Sequence, residues 1–505
     1  MPPSTATPPP ATVSPARRCL LWATLSGLLG LTLCALLPIH PQGPFDARDF
    51  TRLSGMRLEP TLIGTLVEPW TAPFHIMAGA PDFRLAGLVS VIWIIGGAAI
   101  WRAAADRRAR RSGSIGTRVL RSAATGLAAG LVTVLWIAAV AVVRVPRWHL
   151  QVDDPNALIV DLHSHTYGSH DGLVSPAQNL AWHTAAGYNV VAVTEHRYPA
   201  GAFSTQTYAR HATTPQPTVI AGQELGFLYQ REYLPLLLLG LQADYVESAN
   251  LGADSLADYV EFIRTEQRGA TLAMGFTLAA PQAQVLADAG IDGFEIANYG
   301  HPNIPVKVRQ AILEAAHSHG LALVATSDWH GCGGTARTWT VIHTTSPIAA
   351  LSPQQKSDLV VQKLRERHSP DIIPVVAGKL GPASWPRAVF SPFAESFRYA
   401  AELSPPQVLA WWLWSAVMLG MSLQFSRMGL QPRRVFAALL LAGLGAILVS
   451  AGLALVAIRP DGHLASGFPR HIGTYVLLCG TPALIAGGWL ARAAWRQRRT
   501  TAPAA

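Results

Sequence analysis

Six long apolar runs constrain this chain more than any other feature: roughly Cys19–Ile39, Leu85–Trp101, Ala123–Val143, Val408–Phe425, Val435–Ile458 and Ile472–Ala491. A helix of about 20 apolar residues covers the roughly 30 Å hydrocarbon core of a bilayer. None of the six runs contains a charged residue, so they are hard to bury in a water-soluble fold. They predict a polytopic membrane protein with three spans on each side of an insert. Only 14% of the 505 residues are charged, against about 25% in ordinary soluble domains. The shortfall sits in these runs. The insert, 155–386, has globular composition and length enough for one core.

The arginines mark a side. Arg17 and Arg18 precede the first run, and Arg102, Arg107, Arg108, Arg110, Arg111, Arg118 and Arg121 lie between the second and third. Arg427, Arg433 and Arg434 follow the fourth, and Arg492, Arg496, Arg498 and Arg499 follow the sixth. Short basic loops stay cytoplasmic. Six spans put all four sets on that side and the insert on the other, in a bacterium outside the inner membrane. The net charge of +9 is therefore a topology signal. The insert shows no basic stripe interleaved with aromatics, which argues against a nucleic-acid partner. The expected order is a disordered cytoplasmic N-terminus (1–18), three spans with loops (19–145), the insert, three spans (405–492) and a basic cytoplasmic tail (493–505). The first run also fits a signal peptide, but no small-x-small cleavage site follows it, which favours an uncleaved anchor. The stretch Asp46–Pro81 is mixed and Pro-broken and reads as an extracytoplasmic loop on the membrane interface.

Inside the insert, short β-rich runs alternate with capped helical ones. Ala157–Val160, Asn189–Val193, Thr218–Ala221, Tyr233–Leu239, Thr271–Met274, Asp292–Ile296, Leu321–Thr326 and Thr338–His343 read as strands. Ser175-Pro176, Ser255, Pro305 and Ser352 open helices. About seven βα units predict a closed or distorted barrel, with functional groups at the C-terminal strand ends. The polar residues obey that rule. His163 and His165 follow the first strand, and Glu195 and His196 end the second. Glu224 follows the third, Glu295 and Asn298 close a later one, and Asp328 and His330 follow Leu321–Thr326.

Imidazoles two residues apart at a strand end share a face. With carboxylates nearby, they suit Zn, Mn or Fe. A second His-x-His, His317 and His319, ends a helix before Gly320 and reads as structural. So do His183 within a helix and His343 within a strand. Cys332, the one cysteine of the insert, reads as a buried small residue or a soft ligand.

The runs DLHSHTYGSHDGLVSP, VVAVTEH, IAGQEL, DGFEIAN and TSDWH, in that order, resemble the polymerase-and-histidinol-phosphatase (PHP) family across about 155–367. The resemblance implies a distorted seven-stranded βα barrel that hydrolyses phosphoesters with up to three metal ions. By position, it implies a first metal on His163, His165, Asp328 and Glu224, with Glu224 bridging to a second. It implies a third on His196, His330 and one residue of Ser169-His170-Asp171, either Asp171 or His170. Glu195 replaces the usual Asp before His196. Leu237 and Gly275 stand where the second metal would have histidines, so one or two ions are expected. His301 is a candidate substitute, though it reads better as a loop residue. His196 or His170 would move a proton, and Arg197 would meet a phosphate or serve as a surface charge. The implied protein is a membrane-anchored phosphoesterase facing away from the cytoplasm, acting on a phosphorylated small molecule or lipid-linked substrate. Two alternatives stay open. One is a non-catalytic metal- or ligand-binding sensor on the same barrel. The other is a metal-dependent hydrolase of another ester or a carbamate.

Overall fold

The computed structural model describes residues 15–37, 43–78, 80, 83–109, 114–196, 198–229, 231–243, 255–299, 304–334, 336–366, 370–378, 385–458 and 467–501. Arg197 and His301 lie outside them. The chain opens with α1 (Pro15–Leu36), β1 (Phe45–Asp46), β2 (Met56–Pro60) and α2 (Leu62–Ala78). Then come α3 (Phe83–Arg108), α4 (Ile115–Val143) and β3 (Trp148–Val152), which pairs antiparallel with β2. The insert runs β4 (Ala157–Asp161), α5 (Pro176–Ala185), β5 (Val190–His196), α6 (Ala200–His211), β6 (Thr218–Tyr229) and β7 (Glu232–Leu239). It continues with α7 (Leu256–Thr265), β8 (Ala270–Met274), α8 (Ala280–Asp288), β9 (Gly293–Asn298), α9 (Val306–His319) and β10 (Ala322–Thr326). It closes with β11 (Thr338–His343), α10 (Pro353–Arg365) and β12 (Ile372–Val376). Last come α11 (Trp385–Ala401), α12 (Pro405–Arg427), α13 (Pro432–Ala457) and α14 (Phe468–Thr501).

Five helices among the described residues, α3, α4, α12, α13 and α14, are long and apolar enough to cross a membrane. The sixth expected run is α1, whose described apolar part is the shorter Leu21–Leu36. Asp46–Pro81 is not only loop: Leu62–Ala78 is helical through Pro69 and Pro73. Packing against α4, α11 and α12 outweighs the two missing backbone donors there.

Local signals build the insert. Ser175 caps α5 in a capping box with Gln178, with Pro176 in the first turn. Ser352 and Gln355 do the same for α10. Gly320, at φ +65, ends α9 in the left-handed conformation.

The expected seven-stranded barrel is replaced by a curled half-barrel sheet of ten strands, ordered β1-β12-β11-β4-β5-β6-β7-β8-β9-β10. It is mixed. The pairs β4-β5, β5-β6, β8-β9 and β9-β10 are parallel, while β7 and β11 run against both neighbours. The curl brings β10 back against β11. Thr340 Oγ1 donates to the Ala325 carbonyl at 2.8 Å, and Thr338 Oγ1 to that of Thr326 at 2.5 Å. Leu158, Val160, Ile220, Leu237, Leu272 and Val324 fill the concave core. Each contributes about 1.5–3 kcal/mol on burial.

The parallel strands end at one rim, and the described crossings between sheet and helices lie there. Gly43 donates to Ala377 beside the end of β12, and Pro60 pairs with Trp148 where β2 leaves for α2. Residues 144–147 lead from α4 into β3, and 377–378 lead out of β12. A buried ionic seam closes this junction. Arg147 Nε lies 3.2 Å from Glu68 of α2, and its Nη1 lies 3.7 Å from Glu402, just before α12. The Tyr399 ring lies 5.0 Å from its guanidinium.

Candidate metal centre

The loops that leave the rim carry the site. After β4 the chain turns through His163 and His165, both fully buried. A bridge between Ser164 and Trp329 lays this loop beside the one that follows β10. His165 N donates to Trp329 O at 3.0 Å, and Asp328 N to His163 O at 2.8 Å. Asp328 adopts φ +50, a left-handed conformation that costs a non-glycine residue about 1 kcal/mol or more. Trp329 stacks on Trp182 of α5 at 4.3 Å and holds it there.

Four groups meet at the centre. His163 Nε2 lies 2.9 Å from Glu224 Oε2 and 3.2 Å from Asp328 Oδ1. His165 Nε2 lies 3.2 and 3.3 Å from the same two oxygens. A second group surrounds Asp171. Its Oδ1 lies 3.4 Å from His196 Nε2, and its Oδ2 lies 3.4 Å from His330 Nε2. Glu224 joins the groups, since its Oε2 is also 3.5 Å from His196 Nδ1. The His165 ring stacks between those of His196, at 4.6 Å, and His330, at 4.1 Å.

The electrostatics follow from this crowding. Burial opposes a charge on His163 and His165, but the carboxylates outweigh it. Asp328, Glu295 and Glu224 raise the His163 pKa well above the ordinary imidazole value. Asp328 and Glu224 lift His165 to about 9. Burial would raise the acids, but the imidazoles hold Asp328, Glu224 and Asp171 below the ordinary carboxylate range.

His165 Nε2, His330 Nε2 and Asp171 Oδ1 are shut off from solvent yet make no hydrogen bond. Such atoms normally find partners. Here they converge on shared space with the carboxylates. Nitrogen and carboxylate donors in this ratio suit a divalent transition metal. Among the described residues, three overlapping groups have ligand atoms close enough to hold an ion: His163/His165/Glu224/Asp328, His165/His196/His330 and His170/Asp171/His196.

A second layer fixes these donors. Glu295, fully buried, accepts from His163 Nδ1 at 3.1 Å, from Asn298 Nδ2 at 3.1 Å and from the Thr326 hydroxyl. Its bond selects the tautomer that turns the Nε2 lone pair inward. Asp161 accepts from Ser327 N at 3.0 Å, the Ser327 hydroxyl and His183 Nε2 at 2.9 Å, so it anchors the segment entering Asp328. The sequence offered Glu295 as a rim residue without a role, and Asp161 only as the residue opening DLHSHT. Their partners lie 132 and 166 positions away along the chain.

Other candidates sort by placement. Ser169 faces Glu195 and His165: its hydroxyl donates to Glu195 and lies 3.0 Å from His165 Nδ1. Glu195 also accepts from Thr166 and so holds the loop. Burial raises its pKa against those hydrogen bonds. His170 is 61% exposed at the mouth, its ring 4.7 Å from that of His196. Cys332 is exposed rather than buried and belongs to none of the ligand groups. Leu237 is buried in the core opposite Glu224. At Gly275 an added Cβ would lie 2.5 Å from the Glu295 carbonyl oxygen. Neither position offers a donor. His183 backs the centre through Asp161, whereas His343 bonds to Asp154 at 2.8 Å and His319 to Asp288 at 3.0 Å, both away from it.

A cleft of about 660 Å³ opens over the centre. His170, Asp171, His196, Glu224, Asp328 and His330 line one side. Leu225, Pro235, Met274, Phe276, Tyr198 and Tyr233 line the other.

No protein-family model matches the chain, and neither does any curated protein. Several solved structures are similar to parts of it, among them these three. One is a proposed metal-dependent phosphoesterase from Bifidobacterium adolescentis, 16% identical over 34% of this chain and 88% of that one, with a TM-score of 0.28. Another is an amidohydrolase from Chromobacterium violaceum, 17% identical over 34% and 87%, with a TM-score of 0.27. The third is PsfC from Pseudomonas syringae, 14% identical over 49% and 100%, with a TM-score of 0.30. These likenesses are too slight to carry a function to this chain.

Proposed function

We propose that this protein is a membrane-anchored, metal-dependent phosphoesterase whose site faces away from the cytoplasm. The observation that carries the reading is the convergence of four histidines and three carboxylates, with buried donor atoms left without hydrogen bonds. The five sequence motifs support phosphoester chemistry, and the arginine pattern supports the orientation. His163, His165, Glu224 and Asp328 would hold one ion. Asp171, His196 and His330 would hold another. The missing donors at Leu237 and Gly275 argue for one or two ions rather than three. Such an ion supplies Lewis-acid polarisation of a phosphoryl oxygen and lowers the pKa of a water that reaches it.

The chain's own residues do the rest. Glu295 and Ser169 orient His163 and His165. His196 has both ring nitrogens turned to carboxylates, which leaves His170 as the imidazole placed to exchange protons with solvent. Water adds to phosphorus, the ester P–O bond breaks, and the leaving oxygen takes the proton that the water gives up, with His170 as carrier.

The full-length protein in detergent tests this. It should hold Zn, Mn or Fe and release phosphate from an aryl phosphate, and His163→Ala or Asp328→Ala should each abolish that rate. Bound metal with turnover of an aryl ester or carbamate alone would change the bond, not the centre. The lost donors at Leu237 and Gly275 favour one competitor, a sensor that binds metal or ligand without catalysis. Bound metal with no turnover of any ester would select it.

A further inference from the structure

We propose that the site takes an amphiphilic phosphoester from the bilayer surface, with the β6–β7 hairpin as the wall that touches lipid. This rests on the phosphoesterase reading above. The rim that carries the metal centre is also the rim that stands on the membrane helices. Gly333 N donates to Ala141 O of α4 at 2.7 Å, and Arg147 N to Gly334 O at 2.9 Å. Arg144, at the C-terminal end of α4, donates from Nε to Gly331 O at 2.8 Å and from Nη2 to Leu173 O at 3.1 Å. Tyr299, just past β9, packs with Phe74 of α2 and Val140 of α4. The loops after β4, β9 and β10 are thus seated where α4 leaves the bilayer.

Among the described residues, the other rim loops display apolar and aromatic side chains beside the exposed Arg231 and Glu232 at the hairpin tip, where Glu232 accepts from Gln282 of α8 at 2.5 Å. The last rung between β5 and β6 pairs His196 with Glu224. β6 then runs on from Leu225 to Tyr229, paired with β7. Five residues of strand carry the hairpin about 16 Å beyond that last rung, on the same rim that α4 meets. Near its tip Leu228 is 60% exposed and Tyr233 71% exposed. Tyr198, on the loop after β5, is 38% exposed. Tyrosine and leucine displayed at the level of a membrane surface suit the interface. The same hairpin supplies Leu225, Gly226, Tyr233 and Pro235 to the cleft wall, opposite the metal ligands. No lysine or arginine lines the cleft among the described residues. The ligand chemistry that matches is an anionic phosphate held at the metal centre and an apolar body laid along the hairpin.

The test uses the full-length protein in phosphatidylcholine vesicles and a series of alkyl phosphate monoesters from ethyl to dodecyl. We expect kcat/KM to rise with chain length, by up to about fourfold per added methylene while apolar wall remains to be covered. Leu228→Ser, outside the cleft, should lower dodecyl phosphate turnover at least threefold on vesicles and leave ethyl phosphate turnover unchanged. A second arm places a nitroxide on Leu228→Cys, with Cys19, Cys34, Cys332 and Cys479 replaced by Ser. Relaxation by oxygen over a nickel chelate places the tip in lipid. A flat chain-length profile, or a nitroxide relaxed as in water, overturns the proposal. Absence of turnover of every ester sinks the phosphoesterase reading instead, while the nitroxide still decides where the hairpin lies.

Discussion

Replacing Glu295 by Gln keeps the side chain's shape and removes its charge. Glu295 stands 3.1 Å from His163 Nδ1, fully buried, and also accepts from Asn298 and Thr326. Loss of such an outer partner costs about 10–100-fold in metal affinity, or about 1.4–2.8 kcal/mol. The pH dependence has a definite sign. Glu295 is one of the charges that raise the His163 pKa, so protons compete with metal more strongly in the wild type than in Glu295→Gln. The variant therefore escapes part of that competition near pH 7. Its affinity loss should lie near tenfold there and widen as pH rises toward 9. Competition against a chromophoric zinc chelator measures this in the whole protein, with Glu314→Gln on the outer face of α9 as control. Unchanged affinity, or a loss that does not grow with pH, in protein of intact far-UV circular dichroism would refute the role of Glu295.

Three further outcomes follow from the same geometry. His165, raised to about 9 from 6.5, stabilises the metal-free protein below about pH 6.5 and loses that contribution as pH climbs through 9. Zinc binding should accordingly release protons at pH 7 and tighten from pH 7 to 9; calorimetry in buffers of different ionisation enthalpy reads both, and no proton release would contradict the pairing. Gly275→His should not rebuild a second-metal ligand, because its Cβ would lie 2.5 Å from the Glu295 carbonyl oxygen and 2.8 Å from Ile312. Overpacking costs about 1–3 kcal/mol, so we expect a lower thermal midpoint and no additional metal by mass spectrometry. Arg144→Met removes two hydrogen bonds to the loops bearing His330 and Asp171. It should weaken the second equivalent of manganese by about tenfold and leave the first within twofold in a titration followed by electron paramagnetic resonance.

Much of the centre is visible in the sequence because strand ends collect functional groups. His163, His165, Glu224, Asp328 and His330 each follow a short apolar run, and the structure brings those ends to one rim. Direction is another matter. The run LPLLLL is buried on both faces, so its pattern is the same for a parallel and an antiparallel strand. That hides the reversal at β7. The extension of β6 is hidden too, since GQELGFLY breaks alternation at two glycines. Helix α2 escapes notice behind Pro69 and Pro73, because only its packing partners make it helical. Asp161 and Glu295 acquire their roles from partners more than a hundred residues away. No local pattern of spacing carries that information.

The seat of the metal loop on α2 and α4 sets limits on dissection. A cut at the borders of the segment from β4 to β12, near residues 155 and 378, looks natural. It would discard β1, β3, Arg144, Arg147 and Phe74 in one stroke. Gly333 would lose the ring that an added Cβ there would meet at 2.5 Å, and Gly331 the guanidinium on its carbonyl. The excised sheet would keep every candidate ligand and lose the floor beneath them. The long apolar helices are thus a chassis for the candidate metal-binding loops as well as a tether, and a fragment without them is a different object to study.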